Sequence, residues 1–258
     1  MTKTTPITEF ATEKLKVRIF ETRSEMGAEA AKDVAGKIKE LLVRQPFVNM
    51  IFAAAPSQTE LLHFLSLEEG INWARVNGFH MDEYAGIEQD GQQSFAFFLR
   101  QNIFAKVGFN QVHYINGNAA NVETECLRYS ALLKENPVDI VCMGIGENTH
   151  IAFNDPHTAD FNDPVLVKMV ALDLASRQQQ VHDGCFPDLA AVPGYAITLT
   201  VPALLSANSI YCIVPGKTKA LAVYQTVNKQ VSEAYPSTAL KQHNNATLYL
   251  DRDSVAML

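Results

Sequence analysis

Basic residues are scarce in this chain: 21 Lys and Arg stand against 28 Asp and Glu among 258 residues, for a formal net charge of −7. No basic stripe exists to neutralise a phosphate backbone, so nucleic acid is not an expected partner; a small anion needs only one or two local cations and some backbone N–H groups. Cysteine is also sparse. Cys126, Cys142, Cys185 and Cys212 are far apart, with no CxxC pair and no zinc-ligand spacing, so no metal centre is expected. Cys142 and Cys212 sit in apolar runs and read as small core residues. No apolar run approaches membrane-spanning length, and Met1-Thr-Lys-Thr-Thr-Pro6 lacks the apolar region of a signal peptide, which makes a reducing cytoplasm the expected location and a membrane no partner. There is no Pro-, Gly- or Ser-rich linker, no repeat and no low-complexity tract. One domain over residues 1–258 is therefore expected, with 1–16 as an N-terminal arm.

What is present is an alternation of short apolar runs with helical spacing. Lys16–Phe20, Phe47–Phe52, Asn77–Met81, Gln111–Ile115, 138–143, Lys168–Leu172, Tyr195–Thr200, Ser209–Val214 and Ala246–Leu250 read as strands. Between them, Ser24–Arg44 (with Ser24 as N-cap), Thr59–Leu67, Ser94–Ala105, 121–135, Val201–Leu205 and Lys217–Val227 read as helical. Strands separated by helices predict an α/β fold: βαβ units in a mostly parallel, doubly wound, Rossmann-like sheet with helices on both faces.

In such a sheet, polar residues directly after strands gather at one edge. Four junctions qualify. Ala53–Gln58 offers small residues, among them Ala55, and the Ser57 hydroxyl and Gln58 near a helix start, which suits a phosphate but also suits an ordinary turn. His80-Met-Asp-Glu-Tyr84 places Asp82 and Glu83 after a strand; one could act as base while its neighbour is held by hydrogen bonds, or Asp82 could simply cap a helix. Gly144–Pro156 concentrates Gly146, Glu147, Asn148, His150, Asn154 and Asp155 after a buried run. His150 is the one histidine with a ready chemical context; His63, His113, His157 and His243 read as surface or core. Finally, Gly216-Lys-Thr-Lys219 puts two lysines at a helix N-terminus, where an anion would offset the unfavourable dipole, unless the pair is merely solvated. Together these describe a cleft with a phosphate end (Ser57, Lys219) and an acid/base end (Asp82, His150, Asp155).

These blocks, in this order, resemble the glucosamine-6-phosphate deaminase/isomerase family and its relative 6-phosphogluconolactonase. The family motifs run T-G-S/G-T-P, M-D-E-Y, G-I/V-G-x-D-G-H-I-A-F-N-E-P and G-x-x-K-A. Here they correspond to Ala54-Ala-Pro-Ser-Gln58, Met81-Asp-Glu-Tyr84, Gly144–Pro156 and Gly216-Lys-Thr-Lys-Ala220; Val192-Pro193 with Tyr195-Ala-Ile-Thr198 matches a fifth segment. The resemblance spans nearly the whole chain, and M-D-E-Y favours the deaminase branch. It implies an enzyme that uses no metal or other cofactor and takes a small sugar phosphate, glucosamine 6-phosphate or galactosamine 6-phosphate, to a ketohexose 6-phosphate plus ammonia. By the same resemblance Asp82 moves a proton between C2 and C1. His150, with Asp155 and Asn148 behind it, assists ring opening, while Ala55, Ser57, Gln58, Glu83, Gly146 and Lys219 hold substrate and phosphate. A 6-phosphogluconolactonase-type hydrolase and a non-catalytic sugar-phosphate-binding protein are the alternatives. Four departures stand out: Asn148-Thr149 replaces the family's D-G, Asp155 replaces its glutamate, the phosphate loop Ala54–Gln58 lacks the usual glycine and threonine-proline, and the expected phosphate arginine aligns near His182, with Arg177 the nearest guanidinium. Asparagine cannot carry charge, so faster ring opening in Asn148→Asp would show that the natural asparagine limits the chemistry, and Glu147 is a candidate supplement. The family includes hexamers with allosteric sites, which leaves a homo-oligomer open; residues 157–182 differ from those patterns, and allostery is not expected.

Overall fold

The computed structural model describes residues 5–258, and the alternation seen in the sequence becomes a mostly parallel sheet. In chain order the elements are β1 (Thr8–Thr12), β2 (Leu15–Phe20), α1 (Arg23–Arg44), β3 (Val48–Phe52), α2 (Thr59–Leu67), β4 (Val76–His80), β5 (Asp82–Tyr84), α3 (Phe95–Leu99), β6 (Gln111–His113) and α4 (Val122–Glu135). They continue with β7 (Ile140–Met143), β8 (Val167–Ala171), α5 (Leu174–His182), β9 (Tyr195–Leu199), α6 (Val201–Leu205), β10 (Ser209–Val214), α7 (Ala220–Asn228) and β11 (Ala246–Asp251). The main sheet has the order β1-β2-β11-β10-β7-β3-β4-β6, parallel except for β1. The segment expected as an arm thus supplies an edge strand, with residues 1–4 outside the described part. A smaller antiparallel sheet, β5-β9-β8, stands beside it.

The strands are apolar on both faces because helices cover both. Val48, Met50 and Phe52 of β3 pack with Met26, Ala30, Val34 and Ile38 of α1 and Leu61 and Leu65 of α2. The alternate residue, Ile51, joins the opposite layer with Tyr129 of α4, Leu204 of α6 and Val223 of α7. This is the period of two that places successive side chains on opposite faces of a strand. Helix α1 is capped by Thr22 rather than Ser24. The Thr22 hydroxyl accepts from the Glu25 N–H and the Glu25 carboxylate accepts from the Thr22 N–H, a reciprocal box that satisfies two otherwise orphaned donors. Among the described residues no helix is long and apolar enough to cross a membrane.

The topology fixes where a ligand can sit. From β3 the chain winds outward through β4 to β6, then returns to β7 on the other side of β3 and winds the opposite way through β10 to β11. The connections leaving β3 and β7 therefore diverge, and a crevice opens between them at the carboxyl ends of the strands.

Candidate active site

The crevice encloses about 480 Å³ open to solvent and is lined from four strand ends: Ala53, Ala54, Ala55 and Ser57 after β3, Met81 and Asp82 after β4, Gly144, Ile145 and Gly146 after β7, and Lys219 after β10. His150, Ala152 and Phe153 close it from the loop beyond β7, with Phe95 and the two glutamines of α5, Gln179 and Gln180. All four junctions singled out in the sequence converge here.

At one end stands Asp82, the only carboxylate among the described lining residues. It opens β5, where adjacent side chains point to opposite faces, and this separates it from Glu83. Glu83 was expected among the substrate-binding residues, but it turns away from the crevice. Its carboxylate accepts from the backbone N–H groups of Tyr84, Phe95 and Ala96 at 2.9–3.1 Å and anchors the start of α3. Burial and the neighbouring Glu83 push the Asp82 carboxyl well above the ordinary carboxylate range. Burial raises Glu83 to about 7 against the opposing pull of its three N–H donors.

His150 is seated by an absence. A Cβ on Gly146 would fall under 3.0 Å from Cε1, Nδ1 and Nε2 of the imidazole, so only glycine leaves room for the ring. The proton on that ring is assigned by its neighbours. Nδ1 lies 2.7 Å from Asn148 Oδ1, 2.8 Å from Ser176 Oγ and 3.3 Å from Asp155 Oδ1. The Asn148 amide can be oriented only one way, because its Nδ2 donates to Asp155 Oδ1 and to Asp173 Oδ2, each at 3.0 Å. The Ser176 hydroxyl donates to Asp155 Oδ1 and can therefore only accept from the histidine. Three acceptors around Nδ1 leave it protonated in the neutral ring, with the Nε2 lone pair free for the crevice. Burial raises the Asp155 carboxyl, but hydrogen bonds from His150, Ser176 and Asn148 outweigh it and bring the group down to about 2. Asp155 and Asn148 thus stand behind the histidine rather than in the crevice. Glu147 is elsewhere: its carboxylate is 3.5 Å from His182 Nδ1 and its N–H donates to Gln179.

The turn that presents His150 is strained. Thr149 has φ 71°, a left-handed conformation that disfavours a β-branched residue, and its buried hydroxyl has no partner. Its carbonyl is held by the Ser237 N–H at 2.9 Å.

At the opposite end, burial lowers the Lys219 ammonium, with Asp183 and Glu147 pulling the other way. No carboxylate among the described residues comes within ion-pair distance of it, and this buried ammonium lines the crevice. Lys217, two residues earlier, is exposed. Ser57 lies in the helical turn Pro56–Gln58 that runs into α2, at the positive end of a helical segment. Gln58 does not line the crevice; its Nε2 donates to Ser57 Oγ at 3.1 Å and to Ile213 O at 3.2 Å, which fixes the serine. Gly144 makes room for this pair, since a Cβ there would meet Gln58 Nε2 at 3.0 Å and Ser57 Oγ at 3.2 Å. Neither basic residue considered for the missing arginine reaches the crevice. Arg177 donates to the carbonyls of Leu189 and Val192, and His182 is half exposed beside Glu147.

Residues 21–249 match the family model of glucosamine-6-phosphate isomerases/6-phosphogluconolactonase. The chain belongs to that family.

Among its relatives, a glucosamine-6-phosphate deaminase of Bacillus thuringiensis (strain Al Hakam) is 33% identical over 187 residues, 72% of this chain and 70% of the relative. A monomeric glucosamine-6-phosphate deaminase of known structure superposes with a TM-score of 0.85 at 29% identity, covering 94% of this chain and 99% of the other. A 6-phosphogluconolactonase from Thermotoga maritima superposes with a TM-score of 0.75 at 17% identity, over 93% of this chain and 100% of the other, a likeness of fold alone.

Within this family pattern, the sequence reading located every strand-end loop of the crevice but missed α5. That helix brings Gln179, Gln180 and Ser176 to the site and carries Asp173 as its N-cap, with Asp173 Oδ1 accepting from the Ser176 N–H at 2.7 Å. An acidic N-cap signal, Asp173-Leu-Ala-Ser176, was present and could have marked it. Asp155, His157 and Asp173 also bring ligand atoms within 4.8 Å of one another. The carboxylate oxygens of that trio already accept from Asn148, Ser176 and the Asp173 N–H, so the cluster is spent on internal hydrogen bonds.

Proposed function

We propose that this protein converts a hexosamine 6-phosphate, glucosamine 6-phosphate or galactosamine 6-phosphate, with water to a ketohexose 6-phosphate and ammonia. The observation that carries this reading is the single crevice lined together by Asp82, His150 and the buried Lys219, which has no ion-pair partner among the described residues. Lys219 and the Ser57 hydroxyl take the phosphate. That places the sugar ring toward His150, whose Nε2 exchanges a proton at the ring oxygen to open the ring. Asp82 then removes the proton from C2, α to the C1 aldehyde, and returns it to C1. A carboxylate raised by burial is a stronger base than one in water, which suits this transfer. As C1 receives that proton the aldehyde becomes an alcohol, O1 taking up a proton while the C2 amine gives one up, which leaves a double bond between C2 and nitrogen. Water adds at C2, and the C2–N bond breaks to leave the ketone and release ammonia. No step calls on a cofactor. A soluble cytoplasmic enzyme is the setting that fits such a substrate.

Incubation with each amino-sugar phosphate should release ammonia. Binding of both without release, or rapid hydrolysis of 6-phosphogluconolactone instead, would overturn the reading. Asp82→Asn should abolish exchange of the C2 proton with solvent deuterium while leaving phosphate binding largely intact. In the unaltered protein kcat/KM should rise with pH through a value well above the ordinary carboxylate range, because the base form of Asp82 is what reacts.

A further inference from the structure

The oddest feature of the site is that the histidine's partner, Asn148, is itself held between two carboxylates. One of these, Asp155, belongs to the same loop. The other, Asp173, comes from the start of α5 and divides its two oxygens between separate tasks. Oδ1 caps the helix by accepting from the Ser176 N–H, and Oδ2 accepts from Asn148 Nδ2. An amide has one donor end and one acceptor end. With the donor end fixed on Asp155 and Asp173, the acceptor end must face His150 Nδ1. We propose that Asp173 is a positioning residue for His150: together with Asp155 it orients Asn148, one of the three acceptors that keep the proton on Nδ1, and so helps keep Nε2 available to the substrate.

This pairing also gives a reason for asparagine at 148. A carboxylate there would place an oxygen 3.0 Å from both Asp155 and Asp173 with no proton between them. Three converging anions are strongly unfavourable in a site this buried. The charge that position 148 lacks is carried instead by Asp173, one hydrogen bond further from the imidazole. Because α5 also lines the crevice with Gln179 and Gln180, one helix both contacts the substrate space and orients the catalytic ring.

The inference rests on the proposed role of His150, and its test begins with a measurement that needs no substrate. In full-length protein labelled with ¹⁵N-histidine, the His150 signals are identified by their loss in His150→Asn. They should show the tautomer with hydrogen on Nδ1. Asp173→Ser keeps a good helix cap but is too short to hold Asn148, and should shift the ring toward the Nε2–H tautomer. It should lower kcat about tenfold with KM within twofold. Asn148→Asp alone should also lower kcat, whereas Asn148→Asp combined with Asp173→Asn should restore the Nδ1–H tautomer and most of the lost rate. If Asp173→Ser does not fold, Asp173→Asn alone carries the comparison, because it preserves the cap and volume while offering Asn148 an amide in place of a carboxylate. An unchanged tautomer and rate in the single Asp173 variant, or a double variant no better than the product of the two single losses, would overturn the proposal and leave Asp173 a helix cap only. Failure of the protein to release ammonia from either sugar would overturn the function instead, and the tautomer measurement would still decide the role of Asp173.

Discussion

Gly146→Ala should damage catalysis more than any other single methyl group added to this chain. Gly146 is not among the glycines with positive φ, so the backbone accepts alanine and the whole burden falls on the imidazole beneath it. Ordinary carbon contacts are about 3.5–4.0 Å, so the ring must retreat by on the order of 1 Å to clear a Cβ that falls under 3.0 Å from three of its atoms. Its Nδ1 contacts to Asn148 at 2.7 Å and Ser176 at 2.8 Å cannot both survive such a move. Misplacing a catalytic group by about 1 Å costs roughly 100-fold in rate, close to 2.7 kcal/mol of barrier. The crowding should also remove about 1–3 kcal/mol of stability. The assay is steady-state ammonia release alongside urea unfolding. Gly194→Ala serves as the control, since a Cβ there meets nothing within 4 Å and the backbone is again ordinary. The expected pattern is a kcat near one hundredth of normal, KM within a few-fold, and a control indistinguishable from the parent. A Gly146→Ala enzyme retaining more than a third of its kcat would refute the claim that His150 works from this seat.

Two further outcomes follow from burial and from packing. Glu83 lies at about 7 in the fold and near 4.5 when unfolded, so between those values the native state holds the extra proton. Its contribution is full below about pH 4.5 and lost as pH rises through 7, a decline of roughly 3 kcal/mol. Asp155 titrates well below this window and does not oppose it. Asp82 is raised in the same direction and adds to the decline, so urea midpoints should fall from pH 5 to pH 8 and Glu83→Gln should make that fall shallower; an equally steep fall in the variant would dismiss Glu83 as a source. On α1, Gly36→Ala should stabilise by about 0.5–1 kcal/mol, because the position is exposed, mid-helix and free of neighbours. Gly27→Ala on the same helix should destabilise instead, since its Cβ would strike Glu60 where α1 meets α2. Similar unfolding midpoints for the two would contradict this packing.

The strand-end loops were legible in the sequence because each couples an apolar run to a cluster of polar and small residues, and a parallel sheet sends all such loops to one edge. Gly146 and His150 were legible as members of a motif, though the reason for the glycine, the ring lying over it, is a contact across a turn. Glu83 was misplaced because adjacency in sequence means opposite faces in a strand, and residues 82–84 read as a loop rather than as β5. Ser24 lost the cap to Thr22 because the reciprocal partner Glu25 sits three residues after threonine. Helix α5 went unseen because Arg177 to Gln180 is polar throughout, so no apolar stripe announces it. Its contribution to the site, Asp173 and Ser176 against Asn148 and His150, depends on tertiary contacts that no spacing encodes. Position 148 considered alone makes Asn148→Asp a test of whether asparagine limits ring opening; with Asp173 in place the same change brings three carboxylates together.

The strand order also governs how the molecule comes together. Strand β2, residues 15–20, pairs with β1 on one side and with β11, residues 246–251, on the other. As the polypeptide is synthesised, the early hairpin must wait for nearly all the intervening chain before its second partner exists. Likewise β3 and β4 can associate early, but β7 must insert beside β3 before β10 can add. Pairings between such distant segments form slowly and leave sheet edges open meanwhile. Ser57, Asp82, His150 and Lys219 are drawn from four of these successive strand ends, so a nascent fragment that stops before β10 lacks part of the crevice. Recovery of ammonia release after dilution from denaturant would therefore time the assembly of all four strand ends rather than the appearance of the first helices.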